Sequence, residues 1–249
     1  MEKKEIIELS CKAGKIILEN GGEIYRVEQT MTAVCAAYGI QCESFATPTV
    51  IMLSAPVDGE SYCRMMRIVE RGIDLNKVAA VNNFSRSLPF DGAREELERI
   101  ENSPPYPLWG RILASSVGVG AFTIVFGGSV REIAGGAILG AVARLVVTAL
   151  QKRRLGDFMV NLVGGATAAL GGWAMSQIGL GSDPWIMTVA TMMLLVPGLL
   201  FTNALRDIAS GDLVSGGSRG MEALSVAVAL ACGTAAVYAI LALIGGGIV

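Results

Sequence analysis

Apolar positions follow two regimes along this chain. Over the first hundred residues they recur at helical and then at strand spacing; beyond residue 110 they merge into long runs. In residues 5–19, Ile6, Leu9, Ala13, Ile16 and Ile17 share one face and predict an amphipathic helix. Asn20-Gly21-Gly22 ends it with residues that accept a left-handed cap. From Glu23 to Tyr38, Ile24, Val27, Met31, Val34 and Tyr38 step by three and four, which predicts a second helix stopped by Gly39. Gln41–Ala46 and Thr49–Ala55, split at Pro48, and then Tyr62–Arg71 read as strands. Val50-Ile51-Met52-Leu53 is apolar on both faces, as suits a central strand, and Pro56–Ser61 reads as a turn. Asp74 is placed to N-cap a helix through Ser87, and Asp91 a short one through Glu101. Residues 1–103 thus predict an α+β domain large enough for its own core.

A stiff linker follows at 104–110, where Pro104, Pro105 and Pro107 favour an extended chain, with Tyr106 and Trp109 at an interfacial position. From residue 111 to 249 the pattern predicts an all-α polytopic membrane domain. Its spans fall at 111–128, 132–150, 158–178, 185–205 and 221–248, each near the roughly 20 residues that cross a bilayer core. Paired glycines such as Gly135-Gly136, Gly164-Gly165 and Gly171-Gly172 allow close helix packing. The fourth span is interrupted by Pro197-Gly198. In hydrocarbon a broken helix leaves backbone groups unpaired, and it is tolerated where it lines a cavity, as in transporters.

Charge divides the chain in the same place. Residues 1–107 hold 12 of the 20 Lys and Arg and 16 of the 22 Asp and Glu; the remainder hold 8 and 6. No basic stripe suits nucleic acid. Met1-Glu2-Lys3-Lys4-Glu5 leads into an amphipathic helix rather than an apolar leader, so the expectation is an N-terminal domain that stays in the cytoplasm. Lys152-Arg153-Arg154, Arg206 and Arg219 lie on the same side by positive-inside counting, with Arg131 the exception. Five spans then put the C-terminus outside the inner membrane. Five scattered cysteines predict reduced, mostly buried thiols. With no histidine, His-ligated zinc and His-based triads are excluded, and the expectation is no enzyme, no cofactor and no metal.

Three groups of residues carry candidate chemistry. Arg144 lies inside the second span, eight residues from Lys152, or about 12 Å of helix. A cation there snorkels to headgroups, pairs with a partner chain or binds a carboxylate substrate. Pro197 and Gly198 lie at about the same depth, where freed carbonyls near Met193 or Val196 suit a substrate path, although a plain proline kink fits too. Asn203 completes this substrate-binding set. Arg206, Asp207, Asp212, Arg219 and Glu222 crowd the cytoplasmic mouth, as solvated loop charges or as a gate in which Arg206 and Asp207 exchange partners. Glu222 is the best-placed proton carrier on this chain. In the N-terminal domain Glu23, Arg26 and Glu28 line the polar side of the second helix, either solvated or docking that domain on the mouth.

Several stretches together resemble the threonine/serine exporter (ThrE-type) family. They are Glu19-Asn20-Gly21-Gly22-Glu23-Ile24-Tyr25-Arg26-Val27-Glu28-Gln29-Thr30-Met31, Thr47-Pro48-Thr49, Arg71-Gly72-Ile73-Asp74-Leu75 and Pro197–Gly216. Fused members carry a second membrane half that is absent here, so the chain is similar to the larger, YjjP-like subunit of the split form. The resemblance implies secondary export of a small-molecule substrate bearing a carboxylate, threonine and serine or C4-dicarboxylates such as succinate. It also implies a small YjjB-like membrane subunit as partner, within the lipid bilayer, in a possible higher oligomer; an inverted repeat across the two halves is a common transporter plan. Two other readings stay open: a membrane-anchored regulatory or sensor protein, and a hydrolase-like enzyme acting through residues 1–103.

Overall fold

A computed structural model describes residues 2–69 and 71–245. These fall into two compact units. One holds the residues up to Pro105 together with Leu199–Met221; the other holds Tyr106–Gly198 together with the residues from Glu222 onward. The sequence pattern runs the membrane domain unbroken from residue 111, whereas 199–221 pack with the N-terminal unit.

In the first unit α1 (Lys3–Glu19) and α2 (Ile24–Ala37) precede a three-stranded antiparallel meander of β1 (Glu43–Thr47), β2 (Val50–Val57) and β3 (Glu60–Arg67), followed by α3 (Leu75–Ser87) and α4 (Ala93–Glu101). α1 ends in a Schellman motif. Gly21 sits at φ +89, its N–H donates to Leu18 O, and the Gly22 N–H donates to Ile17 O at 2.9 Å. Ser10 Oγ donates to Met31 O at 2.8 Å, and a Cβ on Gly14 would stand 2.5 Å from Met31 Sδ, so α1 and α2 pack closely. β2 is central, and Ile51, Leu53, Ala55 and Val57 enter one core with residues of all four helices. Only that face is packed; Val50, Met52 and Ser54 on the other are half-buried, so the expectation of two buried faces is corrected. Pro56 and Ser61 are paired strand residues rather than a turn, because Asp58-Gly59, at φ 53 and 88, closes a two-residue hairpin between Val57 and Glu60. Asp74 caps α3 by accepting from the Asn76 and Lys77 amides, but α4 is capped at Gly92, not Asp91.

The second unit contains α5 (Leu108–Val125), α6 (Val130–Lys152), α7 (Asp157–Gln177) and α8 (Pro184–Met193), with the later part of α10 (Leu213–Gly245). α9 (Gly198–Ala209) lies in the first unit from Leu199. Among the described residues, α5, α6, α7 and α10 are each long and apolar enough to cross a membrane, and α8 with α9 makes a fifth span if the two count as one broken span. Small residues are required at the crossings. A Cβ on Gly165 would meet Leu230 O at 2.3 Å, one on Gly233 would meet Leu162 O at 1.9 Å, and one on Gly140 would meet Ser115 O at 2.6 Å. Backbones this close supply the packing that holds helices together in lipid, where burial of apolar area contributes little.

Cys11, Cys35, Cys42, Cys63 and Cys232 are free thiols. Only Cys11 and Cys35 are buried; Cys63 and Cys232 are exposed, against the expectation of mostly buried thiols. Burial pushes the Cys11 and Cys35 thiols up to about 12, which keeps them uncharged and unreactive.

Candidate functional site

Each unit contains one constellation. In the membrane unit Arg144 is half-buried on α6, and its Nε donates to Ser115 Oγ on α5 at 2.8 Å. Ser115 is buried and its own hydroxyl donates one turn back to Arg111 O at 2.8 Å. Arg111 is near enough for its charge to act on Arg144. The Arg144 guanidinium, the Ser115 hydroxyl and the Arg111 carbonyl therefore form one chain of hydrogen bonds between α5 and α6. Arg111, hidden in the sequence near the start of a span, is a residue the pattern reading missed.

The same unit holds a second missed residue. Glu132 is 3% exposed at the start of α6. Its carboxylate accepts from the Ser129 amide at 2.6 Å and from the Ser182 and Asp183 amides at 3.2 and 3.0 Å, which fastens the α7–α8 loop. The signal was present as Ser129-x-x-Glu132, a capping-box pattern. Thr188 Oγ1 and the Tyr238 hydroxyl are 2.8 Å apart, and the Tyr238 ring stacks on Trp185 with centroids 4.2 Å apart. α8 ends in a tight turn in which the Leu195 and Val196 amides both donate to Met192 O. Pro197 has no N–H to offer Met193 O, and Gly198 N instead donates to Val196 O at 2.8 Å.

In the N-terminal unit the family-like motif of α2 and the charges of α9 and α10 meet. Asn203 is 5% exposed and its Nδ2 donates to Gly21 O at 3.1 Å. Arg206 Nη1 donates to Glu23 Oε1, while Arg26 Nε lies 3.6 Å from Glu23 Oε2. Asp207 and Arg219 are 1% and 5% exposed and form an ion pair at 3.2 Å. Arg219 Nη2 also donates to Gly22 O at 2.8 Å, and the Ile24 amide at the start of α2 acts on the Asp207 carboxylate. A carboxylate at that position meets an unpaired helix N–H and the positive end of the helix. Glycine is required within the turn after α1, where a Cβ on Gly22 would stand 2.2 Å from Ile17 Cγ2, and between α9 and α10, where one on Gly216 would stand 2.8 Å from Ala204 O. Asp212 caps α10 by accepting from Ser215 N at 3.1 Å.

Glu28 sits beside this clasp. Its carboxylate accepts from Ala46 N at 2.8 Å, tying α2 to β1. Burial holds its pKa above the ordinary 4.5; the Ala46 amide opposes that rise and the Asp212 charge adds to it. Glu222 is half-buried on α10 in the membrane unit. Among the described residues no group of His, Cys, Asp and Glu is arranged to hold a metal ion.

A family model described as "Putative threonine/serine exporter" matches residues 8–241. The chain belongs to that family. It is similar to the "Probable succinate transporter subunit YjjP" of Escherichia coli (strain K12), 22% identical over 226 residues that cover 88% of each chain. It is equally similar to the protein of that name from Klebsiella aerogenes, 22% identical over 227 residues, 88% of this chain and 87% of the relative. No solved structure matches. Family membership and the apolar helices make this a multi-pass inner-membrane protein. The stretches that carried the resemblance, 19–31 and 197–216, contribute most of the clasp, the remainder coming from Arg219.

Proposed function

We propose that this chain is one subunit of a secondary exporter of small carboxylate-bearing metabolites. The carrying observation is Arg144, a cation well inside an apolar helix of a transporter-family chain, held by Ser115 through Nε alone among the described residues. An Arg at a span centre costs roughly 2.5–3.5 kcal/mol on insertion scales, and a substrate carboxylate in a cavity offsets that cost. Arg144 would take the carboxylate. The break at Pro197-Gly198 would provide carbonyls along the path, with Asn203 beyond it. The pairs Arg206–Glu23 and Asp207–Arg219, with Arg26, Glu28 and Asp212 around them, would form the gate, and Glu222 would carry a proton if export is proton-driven.

The name of the relatives favours a substrate with two carboxylates, and the charge of Arg111 reaches Arg144. Threonine and serine remain the second reading, supported by the family description. The cations after α6 and in α9 support a cytoplasmic N-terminal unit and an outward C-terminus. The relatives' designation as a subunit supports a membrane partner, which we take to be a small YjjB-like protein.

Cells loaded with labelled succinate, serine or threonine test the reading. Succinate should leave faster when this chain is expressed with its small partner. No acceleration for any of the three would return weight to a sensor or enzyme role.

A further inference from the structure

The N-terminal unit contains a cleft of about 600 Å³ between α1, the end of β3 and the segment leading into α3. Its charged lining is Lys15, Arg67, Arg71 and Lys77 against Glu19 and Glu101, with Ile16 and Val69 as apolar wall. Among the described residues four cations face two acids there, inside a stretch, residues 1–107, that carries 16 acidic and 12 basic residues. One of the acids is also engaged elsewhere: Glu101 Oε2 pairs with Lys12 at 2.9 Å. Lys77 Nζ donates to Glu101 O at 2.6 Å, and Lys15 lies 3.7 Å from Glu19. Arg67 is exposed and has no ion pair among the described residues. An acidic domain that concentrates a third of its cations around one concave surface focuses a positive field there.

The cleft shares its wall with the clasp. Glu19 O accepts from Gly72 N at 2.7 Å and Asn20 O from Asp74 N at 3.2 Å. The next residues of the same turn hold α9 and α10: Gly21 O takes Asn203, Gly22 O takes Arg219, and Glu23 takes Arg206. One five-residue turn thus joins the cationic cleft to the helices assigned above to the gate.

We propose that this cleft binds a small dianion, a dicarboxylate or a phosphate, and that its occupancy stiffens the 19–23 turn and with it the α9–α10 clasp. Each guanidinium fork matches a pair of carboxylate or phosphate oxygens, so two of them suit a doubly charged anion. The binding half stands without the export reading; the regulatory half rests on it.

The test uses the full-length protein in nanodiscs, titrated calorimetrically with succinate, with inorganic phosphate and with serine. Succinate or phosphate should bind, whichever binds more tightly naming the source, and zwitterionic serine should not. Arg67→Ala with Arg71→Ala should weaken binding by about tenfold or more, the worth of one charge-assisted bond, whereas Arg67→Lys with Arg71→Lys keeps most of it. Both side chains are exposed, and circular dichroism checks that the variant is folded. Titration on an Arg144→Ala background removes any contribution of the site proposed for export. Hydrogen exchange at residues 19–24 should slow on addition of the anion in the wild type and not in the double alanine variant. Binding of neither anion, or equal binding with and without the double alanine change, would overturn the site. Binding without any change in exchange at 19–24 would overturn the coupling. None of these readouts requires export, so a failure here is separable from failure of the transport reading.

Discussion

Arg144 bonds to Ser115 through Nε, and no bond ties its terminal nitrogens to other described residues. That geometry predicts that Arg144→Ala lowers export about tenfold or more, the worth of a lost charge-assisted contact, with unchanged amounts in the membrane. Equal export would remove it from the path. Glu28 gives a prediction of the opposite kind. Its folded pKa is raised by burial, so the folded state binds more protons than the unfolded one, and stability falls as pH rises from 4.5 through the raised value. Glu28→Gln, which keeps an acceptor for Ala46 N, should flatten that fall in denaturation curves collected from pH 4.5 upward; an unchanged slope would assign it elsewhere. At this scale the sequence is uneven. Arg144 stands out because charge is rare in an apolar run. Arg111 does not, because a cation near a span end is ordinary, and its link to Arg144 runs through Ser115 on the neighbouring turn.

Elements were legible where local rules decide them. The Schellman end of α1, the 3-4 spacing of α2 and the Asp74 cap need no distant partner. The hairpin at Asp58-Gly59 was also written locally, but Pro56 drew the reading toward a longer turn. α10 begins at Leu213, eight residues before the expected 221. Its 33 residues make about 50 Å of helix, more than the roughly 30 Å hydrocarbon core requires. Hydropathy marks only the part suited to lipid; the first turns are helical because Arg219 and Ser215 are buried in the N-terminal unit. That pairing was invisible in sequence, since Arg219 and Gly22 lie 197 residues apart. Removing one member of a buried ion pair costs about 3–5 kcal/mol, because the other charge is stranded. Asp207→Leu or Arg219→Met alone should therefore lower the thermal midpoint in detergent more than the two together do. Additive losses would mean that the two charges do not depend on each other.

At the scale of the molecule, an acidic α+β unit and an apolar helical unit share one chain, and the chain crosses between them more than once. The proposed topology has a direct check in Cys63, which is exposed on β3. With Cys232→Ser as background, an impermeant maleimide should label Cys63 only after the cells are opened; labelling of intact cells would invert the orientation. The division of charge at residue 107 marked the membrane half, the break at Pro197 pointed to transport from sequence alone, and family membership agrees. Which residues 199–221 would hold could not be read, because their partners lie 182 to 197 residues earlier. The central claim, export of a carboxylate by two chains, is tested most directly in proteoliposomes loaded with labelled succinate. The purified chain and its small partner together should release the label, and either chain alone should not. Equal release by this chain alone, or no release by the pair with succinate, serine or threonine, would contradict it.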